Sequence, residues 1–121
     1  MKPIILNPER ALFTDPVYFD PKRWIMFAYL CSGKSMPEPF VIPDNGDYLV
    51  FGGNHRIYVA RRKSVRLIAE AIENDRDLMI AQALDGRKLP KEMPIQFDVV
   101  RNHLRKRAEE HHYKVVDAYC A

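Results

Sequence analysis

The sequence predicts a mixed α/β (α+β) fold in which helices flank a small mixed sheet. Residues 40–42 and 48–51 are apolar runs of strand length, and the turn-forming residues 44–47 (Asp-Asn-Gly-Asp) lie between them. Apolar residues at helical spacing occur elsewhere, for example in residues 24–31. The chain has 121 residues, of which 47% are hydrophobic and 29% charged, values typical of one globular domain spanning 1–121.

The N-terminal third is expected to contain a short strand and a helix. Residues 4–6 are an apolar run, and a loop rich in proline and aromatic residues follows them. Asp20 and Pro21 are typical of a helix start and Gly33 of a helix end, so we expect a helix between them. We interpret its apolar face as core packing; this face consists of Trp24, Phe27, Ala28 and Cys31.

The predicted hairpin is expected to lead into a series of helices. The first should cover about residues 54–63. Ser64 is a suitable cap for a second helix through residue 72. Asn74 or Asp75 should cap a third helix that ends at Asp85-Gly86.

The C-terminal segments combine a loop, a strand and a long helix. Residues 87–93 are charged and are predicted as a loop. Residues 94–100 alternate between apolar and polar side chains, which favours a strand. The last helix is expected over about residues 102–118.

Charge and cysteine content set weak limits on partners and compartment. The net charge is +3 and the pI is near 8.9, which is compatible with a polyanionic ligand. Cys31 and Cys120 form no CxxC motif, so a reduced, cytoplasmic setting is expected. The first residues have too short an apolar run for a signal peptide, and no stretch has the length of a membrane span.

The most informative segment is a Gly-Gly-Asn-His-Arg turn between the second hairpin strand and the following helix. Gly52 and Gly53 allow positive φ and close approach of a ligand to the backbone. The helix start adds N–H groups and a positive dipole end, while His55 and Arg56 add side-chain donors. The pattern predicts a phosphate-binding pocket, and an ordinary strand-to-helix turn is the alternative. Asn54 is interpreted as a helix cap.

Residues 39–60 resemble the ParB/sulfiredoxin superfamily, which includes the ParB-like nuclease domain. The shared features are a strand, a turn, a second strand, and then Gly-Gly-x-His-Arg leading into a helix. The resemblance implies a ParB/sulfiredoxin-like fold, with ATP or another nucleotide and Mg²⁺ as cofactor. It also implies that residues 64–93 are a helical insertion relative to the family. The phosphate-binding residues that it implies are Gly52, Gly53, Asn54, His55 and Arg56.

Asn54 separates this chain from the sulfiredoxins that it resembles. Those proteins have a cysteine at this position of the motif, and this cysteine performs their thiol chemistry. ParB partition proteins use the equivalent turn to bind a nucleotide triphosphate, and they add a helix-turn-helix domain that a chain of this length is not expected to contain. We therefore expect a DNA-associated, ParB-like domain that binds phosphate groups of a nucleotide or nucleic acid.

Two basic clusters have open interpretations. One follows the motif and consists of Arg61, Arg62, Lys63 and Arg66. The other lies in the last predicted helix and consists of Arg101, Arg105, Lys106 and Arg107. Each is either a solvated helix face or a surface that contacts the phosphate backbone of nucleic acid.

Two further functions stay open at the level of sequence. A small-molecule phosphotransferase or a nuclease would use the same pocket with Mg²⁺ and a carboxylate from Glu9, Asp15 or Asp20. A non-catalytic interaction protein would keep the fold without the chemistry. The histidines of the last helix have no spacing that predicts a metal site.

Overall fold

The computed structural model describes residues 1–17, 38–85 and 87–117. Within these ranges one mixed sheet contains β1 (Lys2–Leu6), β2 (Ala11–Leu12), β3 (Phe40–Asp44), β4 (Asp47–Gly52) and β5 (Leu67–Ala71). The α-helices are α1 (Asn54–Arg62), α2 (Asp75–Asp85) and α3 (Phe97–Asp117), and a 3₁₀ turn covers Pro8–Arg10. This arrangement confirms the predicted mixed α/β fold with a small mixed sheet.

The sheet has the order β1-β5-β3-β4-β2. Its centre is the β3–β4 hairpin, in which Ile42 pairs with Leu49. Asn45 and Gly46 have φ values of 51° and 84°, as a tight two-residue turn requires. β5 runs parallel to β3 and antiparallel to β1, while β2 runs parallel to β4. The predicted hairpin is therefore confirmed, and β2 is a strand in a segment that the sequence predicts as loop.

Both faces of the sheet are covered, which explains why the hairpin strands are almost continuously apolar. On one face, Phe40 and Ile42 pack in a cluster with buried residues of α2 and α3, including Leu78 and Leu104. On the other face, Val41 packs in a cluster with α1 residues, together with Phe13 from the segment after β2. The sheet thus has α1 on one side and α2 with most of α3 on the other, while the last turns of α3 reach the α1 cluster through Val115.

The prediction of a helix over residues 64–72 is wrong, because this segment contains β5. Ser64 has a φ of 53° and follows the end of α1, so it does not cap a new helix. The strand that follows is secured on both edges by β1 and β3. Ala69 and Ala71 are buried between these neighbours. Pairing with strands that are distant in sequence overrides the helix propensity of leucine, alanine and glutamate here.

The prediction of a strand over residues 94–100 is also wrong, because α3 begins at Phe97. The Phe97 N–H donates to Asp75 Oδ1 at 2.6 Å, so a side chain of α2 receives the first N–H of α3. Val100, Leu104 and Ala108 are buried, and their spacing of four residues forms the core-facing stripe of the helix. The alternating segment 94–100 reaches only the first residue of this stripe, Val100, and the rest of the stripe lies beyond it.

Other predicted elements are confirmed within the described residues. β1 contains the predicted strand at 4–6, and α1 occupies almost the whole of the predicted helix at 54–63. Asn74 Oδ1 accepts the Asp77 N–H at 2.9 Å, as expected of the cap of α2. The segment 64–93 therefore contributes one strand and one helix. The helix predicted between Asp20 and Gly33 lies outside the described residues.

None of the described helices combines the length and the apolar character that crossing a membrane requires. The longest, α3, has 21 residues and is rich in charged side chains.

Candidate functional site

The turn between β4 and α1 has a backbone that only glycine fits. Gly53 has φ 101° and ψ 29°, and its carbonyl accepts the first helical hydrogen bond, from Ile57 N at 3.0 Å. A Cβ on Gly53 would lie 2.7 Å from Pro39 Cβ and 2.9 Å from Arg56 Nη2. Positive φ and lack of space therefore both explain this glycine.

Gly52 is required for a different reason, which is the close approach of another side chain. A Cβ on Gly52 would overlap the carboxyl group of Asp85, at the C-terminus of α2. The end of β4 and the end of α2 thus meet at this glycine. Asp85 is predicted from the sequence only as part of a helix stop, and the structure brings it to the motif.

The turn opens into a cavity of about 360 Å³, which is within the size range of small-molecule sites. All five residues of the Gly-Gly-Asn-His-Arg turn line this cavity, as the sequence predicts for a common site. The other lining residues are Asp15, Pro16, Phe51, Asp85, Arg87 and Lys88. Of these, only Asp15 is a candidate from the sequence.

Asn54 does not cap α1, and the prediction of a capping side chain is wrong. Gly53 occupies the N-cap position, and no side chain makes a capping hydrogen bond there. Asn54 is instead buried, and its Oδ1 accepts the Thr14 N–H at 3.0 Å. The Thr14 hydroxyl in turn donates to the Val50 carbonyl at 2.5 Å. Asn54 therefore fastens the segment after β2 to the motif, and its amide faces Thr14.

Asp15 lies in a cluster with two arginines. Its Oδ1 is 2.7 Å from Arg107 Nη2, and its Oδ2 is 3.0 Å from Arg87 Nη2. Arg87 also donates to the Phe51 carbonyl at 2.7 Å, and Arg107 to the Thr14 carbonyl at 3.3 Å. Both carboxylate oxygens of Asp15 are thus occupied by guanidinium groups.

Arg87 is the most deeply placed cation of the cavity, with a side chain that is only 9% exposed. Burial lowers the pKa of Arg87, and the charge of Asp15 opposes this effect. Because arginine stays protonated in proteins, the consequence is a poorly hydrated positive charge at the cavity wall.

Arg56 is the second poorly hydrated cation, since its side chain is 14% exposed. Burial lowers its pKa, and the nearby Asp85 carboxylate acts in the opposite direction. The distance from Arg56 Nη2 to Asp85 Oδ1 is 3.7 Å, which is too long for a hydrogen bond. This ion pair is therefore looser than the contacts of Asp15.

The first basic cluster lies away from the cavity. α1 has nine residues, so its C-terminus is about 13 Å from the motif at 1.5 Å per residue. Arg61 forms an ion pair with Glu9 at 3.2 Å, while Arg62, Lys63 and Arg66 are exposed. None of the four lines the cavity. The structure thus separates the predicted phosphate pocket from the predicted nucleic-acid contacts.

The second basic cluster is largely engaged within the protein. Arg107 contacts Asp15, Arg105 pairs with Asp44, and Arg101 pairs with Asp98. Three of its four cations are therefore held by carboxylates of the protein itself, which differs from both a purely solvated helix face and an open surface for a phosphate backbone.

The carboxylates proposed for Mg²⁺ chemistry have different positions. Glu9 is paired with Arg61 and does not line the cavity. Asp15 lines it, but with both oxygens bound to arginines. Asp20 lies outside the described residues. Among the described residues, no group of three or more His, Cys, Asp or Glu side chains could hold a metal ion.

Two histidines of α3 help to build the region around the cavity. His112 Nδ1 accepts the Phe13 N–H at 3.1 Å, and its ring stacks on Phe13. Burial, followed by the charges of Arg87 and Arg107, lowers the pKa of His103. Neither histidine lines the cavity.

The chain matches no protein-family model, no curated protein and no solved structure. The likeness of its motif to the ParB/sulfiredoxin superfamily remains a prediction from the sequence.

Proposed function

We propose that the Gly-Gly-Asn-His-Arg turn binds a phosphate group of a nucleotide or nucleic acid, in a ParB-like, DNA-associated domain. The observation that carries this proposal is the cavity at the turn. It combines two glycines at a helix N-terminus with the buried guanidinium of Arg56.

The backbone of the turn favours an anion. The Asp85 carboxyl group lies against Gly52 and the Arg56 guanidinium lies against Gly53, so an anion would approach the main chain at the start of α1 on the Gly53 side. The helix dipole places positive potential at the same point. A phosphate oxygen is therefore stabilised where β4 ends.

The side chains add charge of the same sign. Arg56, Arg87 and Lys88 line the cavity, and two of these cations are poorly hydrated. A phosphate would accept charge-assisted hydrogen bonds from Arg56, for which the planar fork of arginine is well suited, while Arg87 stays bound to Asp15 and contributes positive potential.

Calorimetric titration with adenosine monophosphate and with inorganic phosphate tests this site. We expect Arg56→Ala to weaken binding at least tenfold, and Arg56→Lys to weaken it less, since charge is kept but the fork is lost. Arg76→Ala is the matched control, because Arg76 is exposed on α2 and does not line the cavity. Equal affinities for the wild type and Arg56→Ala would contradict the proposal.

A second titration distinguishes a nucleotide from nucleic acid as the source of the phosphate. The exposed cations Arg62, Lys63 and Arg66 are the natural contacts for a longer backbone. Replacing all three by alanine should weaken binding of a DNA oligonucleotide and reduce its salt dependence, and leave the mononucleotide affinity unchanged. If neither ligand binds the wild type, the non-catalytic interaction protein becomes the better interpretation.

A further inference from the structure

The end of α2 forms a negatively charged part of the cavity wall, close to Arg56. Asp85 is the last residue of this helix, and its carboxyl group lies against Gly52, where a Cβ would overlap it. Its side chain is 21% exposed and lies 3.7 Å from Arg56 Nη2. A negative charge therefore already stands beside the point at which a phosphate would approach the turn.

Building on the proposed phosphate site, we propose that Asp85 restricts the ligand to one phosphate group and discriminates against di- and triphosphates. The ligand class is then a phosphate monoester or diester, such as a mononucleotide or one backbone phosphate. Asp85 is the residue that determines this specificity.

The charge balance of the cavity supports a ligand of low charge. Its described lining residues include three cationic side chains and two carboxylates, which together leave one net positive charge. Arg107, which contacts Asp15 without lining the cavity, raises this to two. A phosphate monoester carries about 1.5 to 2 negative charges at neutral pH, which matches this balance. Each additional phosphate group would bring negative charge in excess of this balance among the described residues.

Asp85 would disfavour additional phosphate groups on one side of the cavity, the side formed by α2. It ends α2, where the helix dipole is negative, so the α2 side of the cavity repels a growing phosphate chain. The turn at the start of α1 has the opposite polarity. One phosphate at the start of α1 lies beside Arg56, and a second phosphate on the α2 side would meet Asp85.

A second cavity adjoins the first, and carboxyl groups line it as well. It has a volume of about 750 Å³, and Arg56 and Asp85 line both cavities. Glu38 and Glu70 line it as well, and the positive groups among its described lining residues are Arg56 and the N-terminal ammonium of Met1. A hydrogen bond with Glu38 raises the pKa of Glu70, as expected of two carboxyl groups in close contact. A phosphate chain that extends past Arg56 would meet these carboxyl groups.

The experiment measures the affinities of adenosine mono-, di- and triphosphate by calorimetry, first without divalent metal. For the wild type we expect the monophosphate to bind at least tenfold tighter than the triphosphate. In Asp85→Asn, which keeps the side-chain shape, the triphosphate should gain at least tenfold and the monophosphate less than threefold. Glu109→Gln is the control, since it removes an exposed charge of α3 away from both cavities.

The outcomes separate this inference from the proposed function. If the monophosphate binds through Arg56 but Asp85→Asn leaves the ratio unchanged, only the specificity role of Asp85 is wrong. If added Mg²⁺ makes the triphosphate the better ligand of the wild type and Asp85→Asn weakens it, Asp85 acts through a metal, and the inference is overturned. If no phosphate compound binds the wild type, the proposed function fails, and this inference fails with it.

Discussion

The cavity has one carboxylate from the segment after β2 (the β2 side) and one from the end of α2 (the α2 side). The two carboxylates differ in the number and length of their contacts with arginines. On the β2 side, Asp15 has an arginine on each oxygen, at 2.7 and 3.0 Å. On the α2 side, Asp85 faces Arg56 at 3.7 Å. Asp15 is therefore part of a structural network, whereas Asp85 makes only a loose contact with Arg56 that is longer than a hydrogen bond.

The β2 side is secured by contacts from several elements. Three consecutive residues each contact a different partner: the Phe13 N–H donates to His112, the Thr14 N–H donates to Asn54, and Asp15 forms an ion pair with Arg87. These partners come from α3, from α1 and from the loop after α2. The same residue type thus supports the cavity on one side, while on the other side it has the specificity role that we propose for Asp85.

Removing Asp15 should have the largest effect on stability. Asp15→Asn leaves Arg87, with its 9% exposed side chain, without its charge partner. We expect a loss of about 2–3 kcal/mol in the free energy of unfolding, less than for a fully buried pair because Asp15 is 38% exposed. Urea denaturation measures it, with Asp98→Asn as a control that should cost about 0.5 kcal/mol or less. A loss as small as that of the control would remove the distinction between the two sides.

Asn54→Ala should have the next largest effect. It leaves the buried Thr14 N–H without its acceptor, which costs about 1–3 kcal/mol. Asn102→Ala on the exposed surface of α3 is the matched control, measured by the same denaturation. An unchanged midpoint for Asn54→Ala would show that the motif and the β2 side are not coupled through this side chain.

His112, which contacts the β2 side, should make the stability of the protein depend on pH. Burial and then the charge of Arg61 lower the pKa of His112, while Asp47 acts weakly in the opposite direction. The unfolded chain then binds more protons than the folded one, so this contribution to stability is complete above about pH 6.5 and is lost as the pH falls below that value. His112→Asn keeps an acceptor near the Phe13 N–H but does not titrate.

Urea denaturation between pH 7.5 and 5.5 should therefore show a shallower loss of stability for His112→Asn than for the wild type. Part of the slope should remain, since the pKa of His103 is also lowered. Identical slopes for the two proteins would mean that His112 is not held neutral by the fold.

Asp85→Asn should have the smallest effect on stability. Its ion pair with Arg56 is long, although both side chains are largely buried, so we expect a loss of about 1 kcal/mol in the free energy of unfolding, less than for Asp15→Asn. Thermal denaturation of the same sample used for the ligand titrations measures it. A loss as large as that of Asp15→Asn would show that Asp85 is structural as well.

Local signals account for the parts of the fold that the sequence predicts well. Asn45 and Gly46 can adopt positive φ, and apolar runs flank them, so the hairpin follows from neighbouring residues. The wrong predictions concern segments whose state depends on distant partners. β5 is a strand because β1 and β3 pair with it, and the start of α3 receives a hydrogen bond from Asp75, 22 residues away.

The sequence by itself determined the hairpin, the glycine turn and the start of α1, because these depend on φ preferences and on short-range periodicity. It thereby located the motif side of the cavity. Only the tertiary structure decided that Asp85, Arg87 and Lys88 complete the cavity and that Asn54 faces Thr14. The reason is physical: a side chain's partner across space depends on how whole elements pack, and no residue near Gly52 in sequence indicates that the end of α2 lies against it.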